Sequence, residues 1–346
     1  MAHRTLASLT TLRLGGPAGH VITVSDPADW NDAVRTIARK DEEAPVVLGH
    51  GSNVIASDAG HPGTVVVMNT RGITTTRVGE STVETTVQAG HPLTDLVQWA
   101  ADENLGGVEC LAGIPGTVGA APVQNAGAYG QQISDTLDRV TVWDWEMSCL
   151  RTLPAQACRL RHRDSRFKRD PGHWTILSVT FLLVRAERAA PVTYQPLADE
   201  LSVPVGARLP VSEVVAGVLA NRHRRGLLLD RHGTDARQVG SVFLAHQAAR
   251  WSAAGCPVHN DSDGRLRAGA GWLLEHIGCH PGKEIVDGVR CSDRRTLTLT
   301  AHSRATAAGF SRALTQLSDH VKAATGVDLQ SEPVTIGIWP EATDNG

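Results

Sequence analysis

The sequence is short of several residue types, and each shortage excludes a class of protein. Lysine occurs at four positions, tyrosine occurs only at Tyr129 and Tyr194, and aromatic residues make up 4% of the chain. The formal net charge of -3 at pH 7 does not indicate a protein that binds nucleic acid or an anionic membrane surface. No apolar run reaches the ~18 residues that a membrane-spanning helix needs. We therefore expect neither a nucleic-acid partner nor a membrane partner.

The cysteines show no C-x-x-C pair, and the first residues, MAHRTLASLTTLRLGG, contain no apolar signal segment. We therefore expect reduced thiols and a cytoplasmic location. His276, Cys279 and His280 have the side chains of metal ligands, but a helix-ending glycine separates them and no third cluster lies nearby. Residues 261–264 begin like a calcium loop, yet Trp272 stands where that loop needs a glutamate. The sequence predicts no metal site.

A chain of 346 residues is too long for one ordinary core and predicts two or three domains. Alternating helices and strands in 1–188 predict two small lobes facing each other, at about 1–74 and 75–188. Proline-rich turns near 190–210 mark the start of a second domain, 189–346, whose last strand is expected to pack back on the first lobe.

Hydrophobic periodicity and capping residues predict the individual elements. Helices are expected over 26–40, 93–103, 211–223, 268–277 and 303–325. Strands are expected over 45–48, 64–69, 82–88, 139–144, 175–185 and 334–339, with an extended stretch over 10–18.

Two glycine-rich loops indicate a cofactor. The stretch 110–130, CLAGIPGTVGAAPVQNAGAYG, carries no charge and has too few large side chains for an amphipathic helix, but its bare backbone can approach a phosphate closely. The loop 49–53, GHGSN, follows a predicted strand but lacks the third glycine of a Rossmann fingerprint, because Val54 occupies that place. No G-x-x-x-x-G-K-[ST] motif supports ATP or GTP hydrolysis. Two such loops fit a pyrophosphate held between two lobes.

The candidate cofactor-binding residues lie in these two loops. They are Gly49, His50, Gly51, Ser52, Asn53, Gly113, Ile114, Pro115, Gly116, Thr117, Gly119, Ala120, Asn125, Gly127 and Ala128. On residue chemistry alone, Ser241 reads as a strand-edge or capping serine, because no G-x-S-x-G elbow is present. Arg163 reads as a surface arginine and Glu332 as a solvated carboxylate. The residues alone indicate a cofactor-binding α/β protein of redox type and leave its substrate open.

Taken in order, seven segments resemble the UDP-N-acetylenolpyruvoylglucosamine reductase family. They are TLRLGG (11–16), GSN (51–53), LAGIPG (111–116), QNAGAYG (124–130), RDSRFK (163–168), GS (240–241) and EPV (332–334). The resemblance implies an α+β fold, in which a two-lobed FAD-binding domain of the vanillyl-alcohol-oxidase (PCMH) type precedes an α/β substrate-binding domain. It also implies NADPH-dependent reduction of UDP-N-acetylglucosamine enolpyruvate to UDP-N-acetylmuramate in peptidoglycan precursor synthesis. We expect a monomer.

The resemblance also implies the roles of individual residues. Arg163 and Glu332 would hold and polarise the substrate carboxylate, and Ser241 would give a proton to C2. A carboxylate beside developing negative charge implies a raised pKa for Glu332. The implied substrate-binding residues are Tyr129, Tyr194, Arg222 and Arg225.

Three positions depart from the family pattern on the substrate side. His162 replaces a tyrosine, Arg225 replaces a lysine, and Ala245 with His246 replaces an asparagine-proline pair. These departures leave two alternatives open beside the cell-wall reductase. One is a paralogue that reduces another nucleotide-linked enol ether, and the other is a flavin-binding protein without catalysis.

Overall fold

The structure is a computed structural model that describes residues 4–40, 43–230, 232–244, 246–247, 255–256, 258–260 and 266–339. Residues 261–264, which begin like a calcium loop, and the departure at Ala245 lie outside these ranges. In the part of the chain that is described, every helix is too short or too polar to cross a bilayer.

The first lobe is a small parallel sheet with one helix. Its elements are β1 (Ala18–Val24), α1 (Trp30–Ala38), β2 (Val46–Leu48), β3 (Val54–Ala56) and β4 (His61–Met68). Strands β1 and β2 both pair in parallel with β4. The helix is shorter than the predicted 26–40, because the chain first makes a 3-10 turn over Pro27–Asp29, which is capped by a hydrogen bond from the Ala28 N–H to the Asp26 side chain. Trp30 and Ile37 are buried and hold α1 against the core.

The second lobe is an antiparallel sheet covered by a helix. Its elements are β5 (Ile73–Arg77), β6 (Thr82–Gln88), α2 (Leu93–Asp102), β7 (Leu105–Gly106), β8 (Gly127–Ala128), β9 (Gln131–Gln132), β10 (Leu137–Asp144), β11 (Cys149–Pro154), α3 (Ala155–Cys158), α4 (Arg166–Arg169) and β12 (Trp174–Arg185). The sheet order is β11-β10-β12-β6-β5, with β7 paired to β12. The sequence did not predict β5 and β11, because both edge strands are mostly exposed and so lack an alternating apolar pattern.

The remaining chain forms the third part of the molecule. Its elements are α5 (Gln195–Glu200), α6 (Val211–Arg224), β13 (Gln238–Ser241), β14 (His246–Gln247), β15 (Val258–Asn260), β16 (Leu266–Ala268), α7 (Ala270–His276), β17 (Glu284–Val286), β18 (Val289–Cys291), β19 (Thr298–Ala301), α8 (Ala307–Thr325) and β20 (Val334–Ile336). Helix α7 starts later than the predicted 268, because Leu266–Ala268 pair as a strand. Helix α8 starts at Ala307, where Thr306 and Asp58 both accept hydrogen bonds from its first N–H groups.

Contacts across the chain join these parts around one region. Strand β20 pairs in parallel with β3, so that Val334 lies opposite Val54 of the first lobe. Buried residues between Ala189 and Val218 share a hydrophobic core with the second lobe. Leu12 and Ile55 pack into the core formed by α7, α8 and the sheet β13-β19-β18-β17. The ends of all three parts therefore meet beside the two glycine-rich loops.

Candidate active site

Three adjoining cavities lie where the parts meet. The inter-lobe cavity, of about 190 Å³, lies between the loops 49–53 and 114–117. The outer cavity, of about 730 Å³, shares Gly49 and Thr117 with it and extends toward Trp174. The arginine-rich cavity, of about 290 Å³, shares Ser52 and Ile114 with the inter-lobe cavity. The three cavities share walls, and this channel of adjoining cavities suits a dinucleotide with a second ligand at one end.

The two glycine-rich loops press directly against each other. A Cβ built on Gly49 would lie 2.3 Å from Oγ1 of Thr117, so any larger residue at position 49 would displace the second loop. The Ser52 hydroxyl donates to the carbonyl of Pro115 at 3.2 Å. Gly51 has a φ of +58°, which a glycine adopts without strain. Bare backbone from both lobes thus lines the inter-lobe cavity, and these residues fit the cradle expected for the pyrophosphate of FAD.

Most of the candidate cofactor residues line this channel. Gly49, His50, Gly51, Ser52, Asn53, Ile114, Pro115, Gly116, Thr117 and Ala120 line the inter-lobe cavity, Gly119 the outer cavity, and Gly127 and Ala128 the arginine-rich cavity.

Gly113 and Asn125 line none of the three cavities. Gly113 packs against the chain that follows α6, where a Cβ would lie 2.6 Å from Leu228. The Asn125 side chain forms hydrogen bonds within the protein, since it donates to the Arg161 carbonyl at 3.1 Å and accepts from the Ser134 N–H at 2.9 Å. Both residues therefore stabilise the conformation of the second loop on the side that faces the rest of the protein.

Arg163, Ser241 and Glu332, which lie far apart in the sequence, all line the arginine-rich cavity. Arg163 stands at the corner of a tight turn with a φ of +54°, and its guanidinium donates to the carbonyl of Gly127 at 2.8 Å. Its Nε lies 3.6 Å from Oε1 of Glu332. Ser241 ends strand β13, which pairs with β19. A cation, a carboxyl group and a hydroxyl therefore line one cavity.

Glu332 is held rigidly and is largely buried. Its N–H donates to the Val242 carbonyl at 3.0 Å, and its own carbonyl accepts from the Asn53 amide at 3.3 Å. Burial raises the pKa of the Glu332 carboxyl above its ordinary value, although the positive charges of Arg163, Lys168 and Arg295 oppose the rise.

This raised pKa predicts how stability depends on pH. A carboxyl that stays protonated longer in the folded state contributes stability that is complete below the unfolded pKa of about 4.3 and is lost as the pH rises through the folded value. We expect Glu332→Gln, which is neutral at every pH, to gain stability relative to the wild type as the pH rises above about 4.3. Urea unfolding of both proteins at a series of pH values measures this difference. The exposed Glu187→Gln is the control, and a difference for Glu332→Gln that does not vary with pH would contradict the expectation.

The four implied substrate-binding residues line the same cavity as the three catalytic candidates. The rings of Tyr129 and Tyr194 meet edge to face at 5.7 Å. The Tyr129 hydroxyl donates to Asn221 at 3.1 Å, and burial raises its pKa. Arg222 is buried at the end of α6, and burial lowers its pKa. Arg225 follows it at the end of that helix.

The sequence analysis missed Arg295, which lines this cavity too. Burial lowers the pKa of Arg295 to about 10, with the neighbouring charges of Arg225 and Arg222 acting in the same direction. Within the described part of the chain, its guanidinium forms no ion pair. Nothing distinguishes Arg295 from Arg294 in the sequence, because only the turn between β18 and β19 places one of them inside. The cavity therefore gathers four arginines against one carboxyl group, Glu332, which suits a ligand with more than one negative charge.

The ranges that the structure describes contain no group of three His, Cys, Asp or Glu side chains arranged to hold a metal ion. His276 ends α7 and stacks on Trp272 at 4.9 Å instead.

Sequence comparisons agree with this geometry. Residues 18–152 match the family model described as "FAD binding domain", and residues 232–336 match "UDP-N-acetylenolpyruvoylglucosamine reductase, C-terminal domain". The chain is 37% identical to the UDP-N-acetylenolpyruvoylglucosamine reductase of Salinispora arenicola, over 96% of this chain and 94% of that protein. The chain belongs to the UDP-N-acetylenolpyruvoylglucosamine reductase family.

Other members of the family show the same extent of likeness. The UDP-N-acetylenolpyruvoylglucosamine reductase of Thermobifida fusca is 36% identical, over 96% of this chain and 97% of its own length. A crystal structure of UDP-N-acetylenolpyruvylglucosamine reductase from Thermus caldophilus has a TM-score of 0.64 and covers 98% of each chain at 21% identity, a likeness of fold. These matches confirm the expected α+β fold with an FAD-binding domain of the PCMH type.

Proposed function

We propose that this protein is an FAD-dependent, NADPH-oxidising reductase that converts UDP-N-acetylglucosamine enolpyruvate to UDP-N-acetylmuramate for peptidoglycan synthesis. The observation that carries the proposal is the meeting of Arg163, Ser241 and Glu332 in one cavity that adjoins the glycine-lined inter-lobe cavity. The family of the chain and the likeness over nearly its whole length support the same function.

We assign residues 1–188 to the cofactor domain, with lobes at about 1–74 and 75–188. Residues 189–346 form the substrate domain, whose first segment, up to Val218, packs on the second lobe. The loops 49–53 and 114–120 would hold the pyrophosphate of FAD through backbone N–H groups. When bound, FAD would supply the hydride transfer, from NADPH to C3 of the enolpyruvyl group.

The roles of the protein side chains follow from their charges and positions. Arg163 binds the substrate carboxylate and stabilises the negative charge that develops when hydride reaches C3. Glu332, with its raised pKa, can share a proton with that carboxylate instead of repelling it. The Ser241 hydroxyl then gives its proton to C2, and the alkoxide regains a proton from solvent. The net change is one hydride and one proton added across the double bond.

The other three arginines would neutralise the remaining negative charge of a UDP-sugar. Arg222, Arg225 and Arg295 line the same cavity and supply three cations for a pyrophosphate group. Arg225 presents a planar fork where the family has lysine, which suits two phosphate oxygens. This departure, with His162 beside Arg163, also supports a second candidate, a reductase of another nucleotide-linked enol ether.

One anaerobic experiment tests both candidates. The purified protein should be yellow and release FAD, not FMN, on mild acid treatment. NADPH should bleach the flavin absorbance, and UDP-N-acetylglucosamine enolpyruvate should restore it rapidly and saturably. Restoration only by another nucleotide-linked enol ether would favour the second candidate. Protein that does not take up added FAD would exclude both.

We further propose that the protein acts in the cytoplasm as a monomer without a nucleic-acid or membrane partner. The near-neutral net charge of -3 supports this proposal. Size-exclusion chromatography with light scattering tests the monomer.

A further inference from the structure

Lys168 lies between the inter-lobe cavity and the Arg163–Glu332 pair. It belongs to the short helix α4 and is half-buried. Among the described residues that line the inter-lobe cavity, Lys168 is the only lysine, arginine, aspartate or glutamate. Two of its charged neighbours, Arg163 and Glu332, line the arginine-rich cavity instead. Lys168 therefore acts on the catalytic pair from the adjoining cavity.

The backbone of Arg163 needs an external support. Its φ of +54° lies in the left-handed region, which is unfavourable for a residue with a long side chain. The turn is closed by hydrogen bonds between Arg161 and Asp164, at 2.9 and 3.2 Å. At its corner, the Lys168 ammonium donates to the carbonyl of Arg163 at 3.2 Å. This bond fixes the peptide from which the catalytic guanidinium projects.

The charge of Lys168 acts on the same pair. Burial lowers the pKa of Lys168, while the negative charges of Glu332 and Asp164 oppose that change and Arg163 adds to it. The groups that face Glu332 are Arg163, Lys168 and Arg295, and each favours its ionised form. Arg295 in turn lies among Arg222, Arg225 and Tyr129. Within this set, Lys168 is the cation that lines the inter-lobe cavity, whereas Arg163 and Arg295 line the arginine-rich cavity.

We propose that Lys168 is a positioning residue for the Arg163–Glu332 pair, holding the Arg163 peptide by a hydrogen bond and supplying a positive charge near the Glu332 carboxyl. The proposal rests on the proposed function, and it assigns Lys168 no contact with substrate. It separates two contributions, a hydrogen bond and a charge, that different substitutions remove.

Three variants test the two contributions. Lys168→Met removes both, Lys168→Gln keeps a donor but removes the charge, and Lys168→Arg keeps both. We expect Lys168→Met to slow flavin reoxidation by the enolpyruvyl substrate by roughly 10–100-fold, because a small displacement of Arg163 spoils its alignment. Flavin reduction by NADPH should change far less, because the Arg163–Glu332 pair acts on the enolpyruvyl carboxylate, which takes no part in that half-reaction. Lys168→Arg should restore most of the rate, and Lys322→Met, at an exposed lysine, is the control.

The pH profile separates positioning from mere stabilisation. When the rate of flavin reoxidation is plotted against pH, the limb that is absent from Glu332→Gln reports the ionisation of Glu332. This limb should move to higher pH in both Lys168→Met and Lys168→Gln, because each variant lacks a cation that favours the carboxylate. It should return toward the wild-type position in Lys168→Arg. If this limb stayed at the same pH and the rates of both half-reactions fell equally, Lys168 would have a structural role and the proposal would be overturned.

A measurement without substrate keeps this test independent of the proposed function. Infrared difference spectra of the substrate-free protein report the protonated Glu332 carboxyl directly, with Glu332→Gln identifying its band. The pH at which the band disappears should be higher in Lys168→Gln than in the wild type. If this shift occurs while the wild type fails to use the enolpyruvyl substrate, the positioning role stands and the proposed substrate is wrong. If Lys168→Gln and the wild type titrate together, Lys168 does not act on Glu332.

Discussion

Replacing Ser241 with alanine should slow reoxidation of the reduced flavin by the enolpyruvyl substrate by roughly 10²–10⁴-fold, the usual contribution of one general acid. Reduction of the flavin by NADPH should remain nearly unchanged, because the hydroxyl acts only when C2 of the substrate receives its proton. Stopped-flow absorbance under anaerobic conditions measures the two half-reactions separately.

The control for this variant is Ser178→Ala. Ser178 is a half-buried strand serine, like Ser241, but it lies on β12 and lines none of the three cavities. It should leave both half-reactions unchanged. If Ser241→Ala slowed both half-reactions equally, Ser241 would have a structural role, as its place at the end of β13 would otherwise suggest.

Replacing Arg163 with methionine should lower kcat/KM for the enolpyruvyl substrate by roughly 10²–10³-fold, the range found when a group that stabilises developing charge is removed. The effect should lie mostly in kcat, because the charge that Arg163 faces grows as hydride arrives. A second effect follows from the 3.6 Å approach of its Nε to Glu332. Without this cation, the pKa of Glu332 should rise further, since Arg163 opposes that rise more strongly than Lys168 or Arg295 does.

Steady-state kinetics across pH measures both effects of Arg163→Met. Arg161→Met is the matched control, because Arg161 lies in the same turn but its side chain is exposed and lines none of the three cavities. Arg163→Lys should recover part of kcat, since it returns the charge without the planar fork. A loss confined to KM, with kcat unchanged, would mean that Arg163 binds substrate and transition state equally and would contradict the electrostatic role.

Features that depend on nearby residues could be predicted from the sequence. Helices α2 and α6 lie within one residue of their predicted bounds, because their apolar spacing and the turns around them are local signals. The glycine-rich loops could be recognised because small, uncharged residues leave backbone exposed wherever they fold. Edge strands β5 and β11 could not be predicted, since their pairing depends on partners far along the chain.

The candidate site shows the same division at the level of single residues. By its own composition, the sequence determined that two bare-backbone loops exist, and the order of its motifs determined the family. It could not show that the Asn125 side chain forms hydrogen bonds within the protein while Asn53 lines the channel, because small residues surround both asparagines in the sequence.

Only the tertiary structure decided the electrostatics of the site. Glu332 precedes a proline in a segment predicted to be solvated, yet the pairing of β20 with β3 places it in the arginine-rich cavity, where burial raises its pKa. The positions of two other charged residues also depend on the tertiary structure. The turn after β18 places Arg295 in the arginine-rich cavity, and helix α4 places Lys168 in the inter-lobe cavity. A backbone preference is a property of a few neighbouring residues, whereas the energy of a charge depends on every group that excludes water from it. That environment exists only once distant segments have come together.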